Sequence, residues 1–279
     1  MTIQKCDFFN TANILADFAN WDTTTRLNHS LRAWCDNDSD FYQYEKLLGK
    51  AMTIMEGVTS ALSYMHLSIL QVEREILSEK FEQEGFAEYD LYRYHYIVFS
   101  HSIALLQDLL FKLTSLIFGL NVPPIMIGWK KLKRELTKHN LVTQKSIFED
   151  FYKKFSNHID KRNTFSHEGL LTYNTLDSFY MTIVWSHVSS LPNMEENKYP
   201  QYTKGNVKNS ELLQITKEKF LDELNELAID AEQFAINLCN SCTDKLLSQI
   251  DINFLKNHRD HIKTIGCTFI NDYLKSIGL

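Results

Sequence analysis

Arg162, Asn163 and His167 are the residues of this chain whose types and spacing suit phosphodiester chemistry. They stand in Asp160-Lys161-Arg162-Asn163-Thr164-Phe165-Ser166-His167-Glu168-Gly169, with four residues between the arginine and the histidine and the asparagine directly after the arginine. RNA carries its own nucleophile, the 2′-hydroxyl. A catalyst of its cleavage must help remove that proton, stabilise the charge that builds on phosphorus, and protonate the leaving 5′-oxygen. An imidazole titrating near neutrality can act as base or acid. A guanidinium stays charged and grips two phosphate oxygens at once. The Asn163 amide can orient the imidazole or donate to the phosphate. This chemistry calls for no metal and no cofactor. One chain supplies a single copy of each group, so a symmetric dimer that faces two copies across one groove would let the pair divide acid and base roles. The same residue types also occur at helix ends without any chemistry, where Arg and His meet the helix dipole favourably and Gly169 would suit a C-cap.

The elements that must position these groups read as helices. The chain of 279 residues holds 9 Gly and 4 Pro, against roughly 20 and 14 at average usage. Few turn residues mean long elements, and a sandwich or barrel, with turns every few residues, is excluded. The capping cluster Asp38-Ser39-Asp40 opens a helical run over 39–83, carried by Leu47, Leu48, Met52, Met55, Val58, Leu62, Met65, Ile69, Val72 and Ile76. A second run, from Tyr89 through Tyr92, Tyr96, Phe99, Ile103, Leu106, Leu110 and Leu113 to Ile117, is stopped by Gly119, Pro123 and Pro124. Trp129, Leu132 and Leu136 mark a short basic helix. Ser146-Ile147-Phe148-Glu149 matches a capping box. It opens a helix with Phe148, Phe151, Tyr152, Phe155 and Ile159 on one face that ends at the Asp160–Gly169 segment. Further helices are expected at 176–190, 211–248 and about 251–277, with an exposed loop over 191–209. The fold class is all-α, an antiparallel bundle of long helices in a single domain spanning 1–279.

The net charge is −6, unevenly spread. Residues 130–162 hold ten Lys or Arg against four acids, which makes that segment +6 and the remainder −12. Lys130, Lys131, Lys133, Arg134, Lys153, Lys154 and Lys161 are therefore candidate RNA- and phosphate-binding residues feeding the Arg162 segment. A solvated helix face would carry the same charges. The N-terminus shows no basic region followed by an apolar core, and the apolar window 97–120 carries Gln107, Asp108 and Lys112, so no leader and no membrane span are expected and the chain should be cytoplasmic.

The R-N-x-x-x-H segment, between two late helices of a helical chain, resembles the HEPN superfamily, the higher eukaryotes and prokaryotes nucleotide-binding proteins. The family signature is R-x(4–6)-H with Asn, Asp or His often after the arginine, and Arg162, Asn163 and His167 match it. The specific match covers about ten residues, with a looser bundle context over 40–190. The resemblance implies a homodimer with the motif at its interface. It implies a metal-independent ribonuclease that cuts RNA by 2′-OH transesterification, as toxins of toxin–antitoxin pairs and abortive phage-defence effectors of the family do. An antitoxin or defence partner follows from the same likeness. Other members are non-catalytic nucleotide-, RNA- or protein-binding modules, which is the alternative reading. Segments 1–39 and 210–279 are additions to a minimal HEPN core.

Other motifs carry less. Cys239-Asn-Ser-Cys242 lies inside a helical pattern and has no second ligand pair at zinc spacing. The odd, scattered set of five cysteines is no disulfide framework. His258 and His261 suit a solvated face, His95 and His101 suit buried, hydrogen-bonded core positions of the second helix, and Tyr92, Tyr94 and Tyr96 read as core and interface aromatics rather than a base-stacking platform. No phosphate-binding glycine loop and no hydrolase motif is present.

Overall fold

The computed structural model describes residues 40–74, 88–121, 128–168 and 209–247, together with Asp177, Met181, Lys275 and Gly278. Its described elements are α1 (Asp40–Arg74), α2 (Glu88–Ile117), α3 (Trp129–Lys138), α4 (Val142–Glu168) and α5 (Asn209–Leu247). Among the described residues there is no strand. The fold is all-α, as the Gly and Pro deficit requires. The expected helices over 176–190 and 251–277, the loop over 191–209, Cys6, Cys35, Cys267, His258 and His261 lie outside the described residues, apart from Asp177, Met181, Asn209 and Lys275.

Packing groups the chain into two compact units. One comprises Met1–Ser60, Leu106–Phe151 and Gln233–Leu279, the other Ala61–Leu105 and Tyr152–Glu232. Four long helices, α1, α2, α4 and α5, contribute residues to each unit.

In the first unit Ala51, Met55 and Val58 of α1 are buried, and Gly57 lets the Leu109 side chain of α2 approach. Phe111 stands edge-on to Phe148 at 4.9 Å and stacks on Trp129 at 6.3 Å, which ties α3 to α2 and α4. Phe111 and Phe148 are buried, and each such ring contributes about 2–3 kcal/mol. Phe151 meets Phe234 edge-on, and Gln144 donates to the Ser241 hydroxyl, so α4 and α5 run antiparallel here. Buried Thr114 is accommodated inside a helix because its hydroxyl donates to the Leu110 carbonyl.

In the second unit Met65, Ile69 and Val72 of α1 are buried, as are Tyr92, Tyr96 and Phe99 of α2, Phe155 of α4, and Phe220 and Leu224 of α5. Phe220 lies 6.3 Å from both Tyr92 and Tyr96. The helix that a minimal core would treat as a C-terminal addition thus supplies buried side chains to this unit, and to the first through Ala235, Leu238, Cys239 and Cys242.

The helix ends follow backbone rules. At the end of α2, Gly119 adopts φ 60°, and the Leu120 and Gly119 amides bond back to Ser115 and Leu116. Asn140 (φ 56°) plays the same part after α3, with Leu141 and Asn140 amides donating to Leu136 and Thr137. The start of α4 departs from the capping-box expectation. The chain resumes helical bonding at once, the Lys145 amide donating to Leu141, so Ser146 lies inside the helix. The Schellman turn at Asn140 sets the reversal and leaves no unstructured residues for Ser146 to cap. By length and composition alone, residues 90–117 of α2 are apolar enough to cross a membrane, and 61% of the most apolar stretch is buried among the packed helices.

Candidate functional site

The R-N-x-x-x-H segment does not follow α4; it forms its last two turns. Residues 161–168 are helical. The expectation that Asp160–Gly169 lies between helices is corrected accordingly: no residue from 160 to 168 is a helix breaker, and the helix runs on to Glu168, one residue before Gly169. The change matters chemically. At about 100° per residue, positions 162 and 167 stand about 140° apart round the helix axis, so one helix does not present both on one face. Position 158, a full turn before Arg162, shares its face. The His167 side chain lies outside the described residues.

Arg162 is half-buried. Its Nη1 donates to Asn163 Oδ1 at 2.8 Å, and its Nε is buried with no hydrogen-bond partner among the described residues. A guanidinium so placed, held by a neutral amide and facing no described carboxylate, keeps its charge available for an anion. Lys161 beside it is also half-buried. Burial lowers the pKa of its ammonium, and Asp177 acts in the opposite direction.

The sequence reading missed His158. This residue is 7% exposed and sits against Tyr96, whose hydroxyl is 3.1 Å from its Nδ1. Burial, reinforced by the Lys161 charge and opposed by Glu223, pushes the imidazole down to about 4, so it is neutral at pH 7. Burial holds the Tyr96 phenol well above its usual range, so it remains protonated. Two neutral groups thus share this buried hydrogen bond, and the imidazole tautomer sets which of them donates. His158 thus joins the buried row of this helix, which the aromatic pattern had extended to Tyr152 instead. Tyr152 is in fact 38% exposed, while Phe148, Phe151, Phe155 and Ile159 face inward as expected. The available signal was the row 148, 151, 155, 158, which fits the buried stripe better than a row through 152.

The remaining candidate cations divide by what they touch. In the second unit Lys154 is paired with Asp230 at 2.6 Å and Glu226 at 3.8 Å, and its hydrogen bond to Asp230 raises its pKa. Lys153 is exposed. In the first unit Lys133 pairs with Glu149 at 2.8 Å and lies 5.6 Å over the Trp129 ring. Lys130 and Arg134 are exposed and Lys131 is half-buried.

Of the other candidates, His101 Nδ1 donates to the Ile97 carbonyl at 2.9 Å. His95 is half-buried beside Tyr94, and burial lowers its pKa. Tyr92 and Tyr96 are core residues, and Tyr94 is 60% exposed because position 94 points away from the stripe of 92, 96 and 99. Cys239 and Cys242 are buried and form no disulfide, and burial pushes the Cys242 thiol up to about 12. Thiolates do the ligating and the redox work. Mass-spectrometric mapping of alkylation is therefore expected to find both cysteines unmodified in the native protein and modified in denaturant; modification of either under native conditions would contradict their inert, packed role. Among the described residues no group of three or more His, Cys, Asp or Glu could hold a metal ion. Compared with protein-family models, with curated proteins and with solved structures, the chain matches none.

Proposed function

We propose that this chain is an HEPN-like, metal-independent endoribonuclease that works as a homodimer and acts as a toxin or phage-defence effector. Arg162 holds the scissile phosphate, His167 transfers a proton, and Asn163 fixes the guanidinium. The observation that carries the reading is the Arg162 guanidinium, tethered by Asn163 and without a described acidic partner in a half-buried setting. A guanidinium not already matched with a carboxylate has its fork open to two oxygens of a phosphate. Transesterification by the 2′-hydroxyl leaves a 2′,3′-cyclic phosphate and a free 5′-hydroxyl, with the proton taken from one oxygen returned to the other.

The helical placement of positions 162 and 167 supports the dimer. Residues about 140° apart on one helix reach one phosphate more readily from two chains facing each other than from one. This has a direct test. Arg162→Ala and His167→Ala, each inactive alone, are mixed under conditions that exchange subunits. A site composed of Arg162 from one chain and His167 from the other returns in half the sites of each mixed dimer, so about a quarter of the parent cleavage is recovered. No recovery, with subunit exchange verified, would place both groups in one chain and overturn the shared-site arrangement. The non-catalytic binding module is the outcome if the parent itself leaves RNA intact.

A further inference from the structure

α3 divides its faces between packing and charge. Leu132 and Leu136 are fully buried, and Trp129 lies against Phe111 and Phe148, so the apolar side of the helix is spent. Lys133 is committed to Glu149 and Trp129. Lys130, Arg134 and Lys138 stand at every fourth position on the exposed side. Each step is about 6 Å along the axis, and the three fall within about 80° of arc. The helix has one acid, Glu135, whose buried carboxylate lies 3.9 Å from Arg134, 3.7 Å from Lys138 and 3.8 Å from His139. The side chains of Arg134 and Lys138 are nevertheless 75% and 65% exposed, so both stay open to solvent while sharing this one carboxylate with His139.

We propose that Lys130, Arg134 and Lys138 form a rail that docks the phosphodiester backbone of a single nucleic-acid strand. The step of the ladder is comparable to that between successive phosphates of such a strand. Arg134 can fork two oxygens of one phosphate, while the lysines act as point charges on either side. A membrane surface is a poorer occupant. A helix that lies in a lipid interface needs a free apolar face to insert, and that of α3 is buried against Phe111 and Phe148. The rail belongs to the first unit and Arg162 to the second. The inference rests on the ribonuclease reading only in taking the strand to be RNA.

The test separates the two ideas by using a strand that cannot be cut. A labelled single-stranded 2′-deoxy oligonucleotide lacks the nucleophile, so its binding reports docking alone. Fluorescence anisotropy is measured over a series of salt concentrations on the full-length parent and on the Lys130→Gln, Arg134→Gln, Lys138→Gln triple variant. Loss of three phosphate contacts makes the slope of log affinity against log salt shallower by about 2. The charge-keeping variant Lys130→Arg, Lys138→Arg retains the parent slope. Arg162→Ala loses cleavage of RNA yet still shows the same slope decrement when the triple change is added. Equal slopes for parent and triple variant would overturn the rail, as would a parent that binds phosphatidylserine vesicles but not the strand. Circular dichroism checks that the triple variant keeps its helix content, as expected for three exposed positions.

Discussion

Arg162→Ala is expected to slow RNA cleavage at least about a hundredfold, the scale at which removing one preorganised donor to a developing anion is felt. Nη1 is spent on Asn163, and Nε is buried without a described partner. Removing the side chain takes away a positive charge from the phosphate at the moment negative charge accumulates there. Arg162→Lys keeps the charge but loses the fork and the bond to Asn163, so it should recover only part of the rate. The deficit should fall on kcat more than on KM if the interaction strengthens in the transition state. Asn163→Ala should produce a smaller loss, because the guanidinium remains but is no longer held. Unchanged rates in Arg162→Ala, with helix content preserved, would remove Arg162 from the chemistry.

Stability is expected to fall by about 3 kcal/mol as pH drops from 6.5 to 4, through His158 alone. In the unfolded chain this imidazole takes up a proton near 6.5; in the folded chain it does so only at about 4. Between those values the unfolded state binds more protons than the folded state, so acid pulls the equilibrium toward unfolding. Above 6.5 the group is neutral in both states and the full contribution is present. Below 4 it is protonated in both and no further loss comes from it. The groups facing it are Tyr96 on α2, Lys161 on its own helix and Glu223 on α5. Lys161 opposes its protonation and Glu223 favours it. Carboxylates titrate over part of the same range, so the measurement is a difference. Urea unfolding of the parent and of His158→Gln is compared at pH 7 and pH 4.5, and the variant should show the shallower pH dependence. Parallel curves would show that His158 does not titrate differently on folding.

Much of the helical layout was readable from spacing. The runs through Tyr92–Ile117 and through Phe220–Leu238 emerge where periodicity put them, because long stripes of large apolar residues have one way to be buried. The stop at Gly119 was legible for the same kind of reason, since a left-handed position after a helix favours glycine. Local signals misled where a neighbouring turn was stronger. Ser146 and Glu149 match a capping box, yet the turn at Asn140 had already started α4. The stop expected before Asp160 failed because a polar, charged sequence is no barrier to a helix already nucleated and packed. His158 was hidden because a histidine among phenylalanines does not stand out in a hydrophobic pattern; only the geometry shows it buried while Tyr152 is exposed. The basic segment gave its charge plainly from composition, but not which cations are already paired. Lys133 and Lys154 answer to Glu149 and Asp230, and that division depends on helices far apart in sequence.

The most direct measurement takes the purified parent and His167→Ala, incubates each with total cellular RNA in EDTA, and identifies the ends of any fragments. Expected are EDTA-resistant cleavage by the parent, fragments bearing 2′,3′-cyclic phosphate and 5′-hydroxyl ends, and none from His167→Ala. Equal cleavage by both proteins, or cleavage that EDTA abolishes, would contradict the proposed function.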